Sequence, residues 1–181
     1  MNYITRNVLE QVLARVGAVA EARGDFYLIG ETSLVWEDHR SWTDEIEVCM
    51  ILDQGAEDVL QGLKGVSEDL GVTVVNEFPG DVVPLPDDWR ERCRSIVAGA
   101  ALRLSHFDPY SVSLRFLARG DEEDYRLVLG YLEHGWVSLD EMDDVVAALL
   151  PRFSFETIAQ DPAEFRRKYK GLQQMAKARG G

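Results

Sequence analysis

At 181 residues, 46% of them hydrophobic, and with a mean hydropathy of −0.18, the chain is long enough to bury a sizeable core in one domain or a small two-lobed one. No apolar run approaches the roughly 18 residues of a membrane span, and the opening MNYITRNVLEQ lacks a signal-peptide core, so the expected location is cytoplasmic, with no membrane partner. The net charge of −13 sets most of the surface against nucleic acid, yet residues 162–181 hold six basic residues and one acid, leaving −18 (−13 less +5) on residues 1–161.

Residues 4–23 predict an amphipathic helix, because Ile4, Val8, Val12, Val16 and Val19 recur at helical spacing, with Gly24 placed as its left-handed cap. Phe26-Tyr27-Leu28-Ile29 then has the length and residue type of a buried strand. Gly30 breaks the run, and Thr32-Ser33 open a short helix ending near Glu37. His39 and Arg40 fall in the next loop, where the Arg40 guanidinium suits either phosphate recognition or an exposed loop charge. Trp36 and Trp42 fit packing better than base stacking. Residues 45–52 form a second strand whose alternation sends Glu45 and Glu47 to one face and Ile46 to the other.

A helix over 56–70 follows, with Val59, Leu60, Leu63 and Val66 on its apolar face and Gly71 at its end; residues 72–78 make the third strand. The Pro-rich stretch 79–88 predicts a loop within the domain. Residues 95–98 and 101–105 suggest a hairpin about Gly99-Ala100. Asp108-Pro109 is a cap followed by proline at the first helical position, opening helices over 110–119 and 122–132. Ser138 and Glu141 predict a capping box for a helix reaching Leu150, which Pro151 stops, and Asp161-Pro162 opens the basic C-terminal helix. Cys49 and Cys93 form no Cys-x-x-Cys, which argues against a disulfide framework or zinc site. Gly-x-Ser-x-Gly, Walker, His-Glu-x-x-His and Rossmann motifs are all missing.

The centre of the chain carries its most specific chemistry. A strand, a glycine turn into a helix N-terminus and two carboxylates on a neighbouring strand can together hold a nucleoside triphosphate and its metal ions. In order, Gly30-Glu31-Thr32-Ser33, Thr43-Asp44-Glu45-Ile46-Glu47, Pro84-Leu85-Pro86, Trp89-Arg90, Asp108-Pro109-Tyr110, Leu117-Ala118-Arg119 and Asp124 resemble the nucleotidyltransferase-like proteins of abortive-infection and toxin–antitoxin systems, relatives of the DNA polymerase β superfamily. The resemblance spans roughly residues 25–135.

It implies an α+β fold, a nucleotidyltransferase-like mixed sheet flanked by helices, with a core over 1–108 and a helical region over 109–181 packed on it. It also implies Glu45, Glu47 and Asp124 as catalytic residues, with Glu45 and Glu47 holding Mg²⁺. Gly30, Glu31, Thr32, Ser33, Arg40 and Arg119 would bind the nucleotide. The chain departs from the family pattern in several places: both metal-binding aspartates are glutamates, the second turn glycine is Glu31, and Phe116 stands at the family's lysine. The expectation is therefore a degenerate member, weakly or non-catalytic, acting as a binding or toxin–antitoxin-type module. The charge run of the basic C-terminal helix reads first as a solvated face, with contact to RNA or a protein partner as the alternative. The alternative is an active Mg²⁺-dependent enzyme moving a nucleotidyl group from a nucleoside triphosphate to RNA, protein or a small acceptor.

Overall fold

The computed structural model describes residues 3–97, 101–157 and 160–180. It is an α+β protein that divides into two compact units, Met1–Glu77 with Arg94–Phe107, and Phe78–Cys93 with Asp108–Gly181. Residues 78–93, expected in the first domain, thus group with the C-terminal helices.

The first unit contains α1 (Arg6–Gly17), β1 (Arg23–Leu28), α2 (Gly30–Trp36), β2 (Glu45–Gln54), α3 (Ala56–Leu70), β3 (Thr73–Asn76), β4 (Arg94–Val97) and β5 (Leu102–His106). The strands form one mixed sheet in the order β3-β2-β1-β5-β4. β1 runs antiparallel to β2 and parallel to β5, while β2 is parallel to β3 and β4 antiparallel to β5. Strand alternation puts Phe26, Leu28, Ile46, Val48, Leu102 and Leu104 into one core with Leu9, Val12 and Val16 of α1 and Val59, Leu63 and Val66 of α3. The same alternation sends Glu45 and Glu47 to the other face of β2.

Three expectations need correction here. The N-terminal helix stops at Gly17, and Ile4 instead exchanges two backbone hydrogen bonds with Thr43, at 2.9 and 3.0 Å. Val19 lies beyond the helix but still packs against the core. Gly24 caps nothing: it lies within β1 at φ +125°, where a Cβ would sit 2.5 Å from the Ile51 carbonyl oxygen. The glycine is needed for close approach of two strands, a demand set by a residue 27 positions away in sequence and so invisible locally. Leu60 is 49% exposed. It follows Val59 by one residue, about 100° round the helix, and so leaves the stripe that Val59, Leu63 and Val66 make.

The helix read over 56–70 agrees with the structure. α3 ends at Gly71 in the left-handed conformation, φ +63°. β4 and β5 pair as a hairpin; Gly99 and Ala100, expected at its turn, lie outside the described residues.

The second unit holds α4 (Pro109–Arg119), α5 (Glu122–Glu133), α6 (Leu139–Leu149), α7 (Phe153–Glu156) and α8 (Pro162–Arg179), with 3-10 turns at Pro79–Asp81 and Trp89–Arg92. Asp108 caps α4 as expected, accepting from the N–H groups of Tyr110 and Ser111 at 3.1 Å each. Asp161 caps α8 through the Ala163 N–H. At α6, Ser138 accepts from the Glu141 N–H, but the return bond of a capping box is not direct. The Tyr110 hydroxyl stands between, accepting from the Ser138 N–H at 3.1 Å and donating to Glu141 at 2.5 Å. Burial of the phenol, together with its bond to Glu141, raises its pKa and keeps it a donor.

α8 is more than a solvated tail, since Phe165, Tyr169 and Leu172 are buried. Lys168 donates to the Ala118 and Arg119 carbonyl oxygens and so closes the C-terminus of α4. Among the described residues no helix is long and apolar enough to cross a membrane.

Candidate functional site

The expected site begins where β1 gives way to α2. Gly30 sits at φ +62°, a left-handed conformation that glycine adopts without strain, and this lets the chain turn straight from strand into helix. Thr32 is fully buried on α2 and ties the helix to β2: its Oγ1 accepts from the Glu47 N–H at 2.8 Å and lies 3.5 Å from the Glu45 carbonyl oxygen. Ser33 is also buried, and its carbonyl oxygen accepts from the Glu37 N–H. Both hydroxyl residues thus lie inside the fold, with Thr32 acting as a clasp between helix and strand.

The two expected metal ligands differ in setting. Glu45 is exposed at the start of β2, whereas Glu47 is buried, with Oε2 3.4 Å from the Glu31 N–H. That is a long hydrogen bond. It nevertheless places a carboxylate at a turn N–H that phosphate recognition requires. Glu31 itself is held on both oxygens. Arg40 pairs with Oε1 at 2.7 Å, and the Thr43 hydroxyl donates to Oε2 at 3.0 Å. Arg40 also donates to the Trp42 carbonyl oxygen and lies 5.7 Å from the Trp42 ring, which in turn packs 4.4 Å from Tyr3.

Structure therefore brings together Gly30, Glu31, Thr32, Arg40 and Glu47, with Glu45 and Ser33 beside them on the same elements. Thr43 belongs to this cluster as well. Sequence reasoning used it only as part of the motif, although its position two residues before Glu45 already placed it near the turn.

A divalent ion needs several oxygen donors in a defined geometry. Among the described residues no three of His, Cys, Asp and Glu come together as a possible metal set. Glu47 is already engaged by a backbone donor, and the Glu31 carboxylate is neutralised by Arg40. This arrangement fits Mg²⁺ and a triphosphate poorly.

Arg119 and Asp124 belong to the second unit, where they pair with each other. The guanidinium Nε lies 3.0 and 2.9 Å from the two Asp124 oxygens, and Nη2 adds a further contact to Oδ1. Asp124, 1% exposed, also accepts from the Asp121 N–H at 2.9 Å, closing the first turn of α5. Phe116 is buried, with Arg115 and Arg119 over its ring. Pro84, Leu85, Pro86 and Trp89 line a cavity of about 340 Å³ with Arg152, whose guanidinium is held by Glu156 and Asp87.

One pair went unnoticed in the sequence. His106, at the end of β5, is 2% exposed and lies 2.8 Å from Glu37 at the end of α2. Burial lowers the imidazole pKa below its ordinary 6.5, an effect only partly offset by Glu37. The two residues are 69 apart, with no motif linking them. The two cysteines are free thiols.

No protein-family model matches the chain, and neither a curated protein nor a solved structure matches it.

Proposed function

We propose that the chain is a degenerate nucleotidyltransferase-fold protein, weakly or non-catalytic, that serves as a cytoplasmic binding module of the toxin–antitoxin or abortive-infection kind. The observation that carries this reading is the occupation of the α2 turn by the protein's own carboxylates. Glu47 faces the Glu31 N–H, and the Glu31 side chain is fixed by Arg40 and Thr43. A triphosphate arriving there meets the Glu47 and Glu31 carboxylates, and Arg40 is already paired. The glutamate substitutions add to this. Each extends a carboxylate by one C–C bond, about 1.5 Å, where catalytic sites tolerate about 0.5 Å, and a 1 Å misplacement can cost about a hundredfold in rate.

Binding falls to the basic C-terminal helix, which offers exposed Arg166, Lys170 and Lys177 to RNA or a protein. The catalytic side of the reading is tested by incubating the protein with Mg²⁺ or Mn²⁺, labelled nucleoside triphosphates and candidate RNA or protein acceptors. No incorporation above background is expected. Incorporation abolished by Glu45→Ala would establish an active nucleotidyltransferase instead.

A further inference from the structure

We propose that the groove between α6 and α8 docks an acidic protein segment that carries an aliphatic side chain. The proposal rests on the reading of the basic helix as a partner-binding element and names the partner's chemistry. The groove encloses about 520 Å³. Its apolar part is made by Val146 and Ala147 of α6, Leu150 and Pro151 in the 3-10 turn that follows it, and Pro162 at the start of α8. Arg166 and Lys170 flank it from α8, one helical turn apart, about 6 Å along the axis.

The other basic residues of α8 are mostly committed elsewhere. Lys168 closes α4, Arg167 leans to Glu164 at 3.8 Å and Arg179 pairs with Glu133 at 2.6 Å. Among the described residues neither Arg166 nor Lys170 has an ion-pair partner, and both are exposed. The one acid of the groove, Asp143, is turned to its neighbours, accepting from the Tyr169 hydroxyl at 2.5 Å and Gln173 at 2.7 Å. Burial pushes the Tyr169 phenol pKa upward, so it stays a donor to Asp143. Two cations without partners thus border an apolar floor on a chain of net charge −13.

That combination selects against RNA. Two cations neutralise about two phosphates, a small gain against a repulsive body. The one aromatic ring in the groove, Tyr169, is 5% exposed and offers no stacking platform. An apolar floor is left without a complement by a phosphate backbone but is covered by a leucine-sized side chain. Carboxylates beside that side chain complement Arg166 and Lys170.

The test is selection of a random 12-residue peptide display library on the full chain, followed by fluorescence anisotropy of the enriched peptides. Enriched sequences should combine Asp or Glu with an aliphatic residue. Their affinity should fall at least tenfold on Arg166→Glu/Lys170→Glu, and similarly on Ala147→Trp, which fills the floor; these residues are exposed, and an unchanged melting temperature verifies the fold. Peptides that weaken with salt yet ignore both substitutions would keep a basic-helix partner and overturn the groove. No enrichment would overturn both. A uridine 20-mer that binds the parent and is lost on the double variant would make the partner RNA and overturn the proposal.

Discussion

The Glu47 carboxylate lies 3.4 Å from the main-chain N–H of Glu31, at the turn where β1 passes into α2. One residue on, Thr32 fastens the same helix to the backbone of β2. The turn that resembles a phosphate cradle is therefore built into the fold through its own side chains, and several consequences can be measured.

Thr32→Val keeps the shape but removes the hydroxyl that accepts from the Glu47 N–H, leaving a buried donor without its partner. Such a loss costs about 1–3 kcal/mol. Urea unfolding should show a lower midpoint with an unchanged slope. A midpoint equal to that of the parent would mean the clasp contributes nothing.

Asp124→Ala removes both the Arg119 pair and the acceptor for the Asp121 N–H. Arg119 is more than half exposed, so solvent screens the ion pair and the cap dominates. The expected loss is about 0.5–2 kcal/mol, and Arg119→Ala should cost less. Equal losses in the two variants would mean that the ion pair, not the cap, stabilises α5.

Much of the fold was legible wherever a single local signal decided the outcome. Asp108-Pro109, Asp161-Pro162 and Gly71 each mark a helix boundary through their own backbone preferences, and the structure places the ends there. Gly24 was misread because its φ of +125° answers to the Ile51 carbonyl, which sequence pattern does not reveal. In the site, alternation along β2 sufficed to put Glu45 and Glu47 on one face. Alternation could not show that Glu47 is buried against a turn N–H, nor that Arg40 serves Glu31, since both depend on how helix and strand meet.

His106 gives stability a dependence on pH. Its pKa in the folded chain lies below the ordinary 6.5, so below that pH the unfolded chain binds more protons. Stability is fully present above 6.5, declines as the pH falls from 6.5 toward the folded-state value, and is level beyond it. Chemical denaturation between pH 7.5 and 5 should show this decline, and His106→Gln should flatten it. An unchanged decline in the variant would assign it to other groups.

Tyr110→Phe removes the hydroxyl between Ser138 and Glu141. About 0.5–1.5 kcal/mol should be lost, because the Ser138 N–H exchanges its protein acceptor for water. Since the folded-state pKa of this phenol is raised above 10, its contribution is present below pH 10 and lost as the pH rises past that value. The variant should therefore unfold with a shallower alkaline dependence than the parent, as followed by circular dichroism. A parent-like alkaline profile would remove Tyr110 from this role.

The most direct test of the central claim is the melting temperature with Mg²⁺ or Mn²⁺ alone, a nucleoside triphosphate alone, and both together. A ligand that binds only the folded state at 100 times its Kd stabilises by about 2.7 kcal/mol, a shift of several degrees for a chain of this size. With Glu47 and the Arg40-bound Glu31 already at the turn, no combination should raise the melting temperature appreciably. A joint rise exceeding the sum of the separate effects, abolished by Glu45→Ala and Glu47→Ala, would contradict the account and show a working metal–nucleotide site.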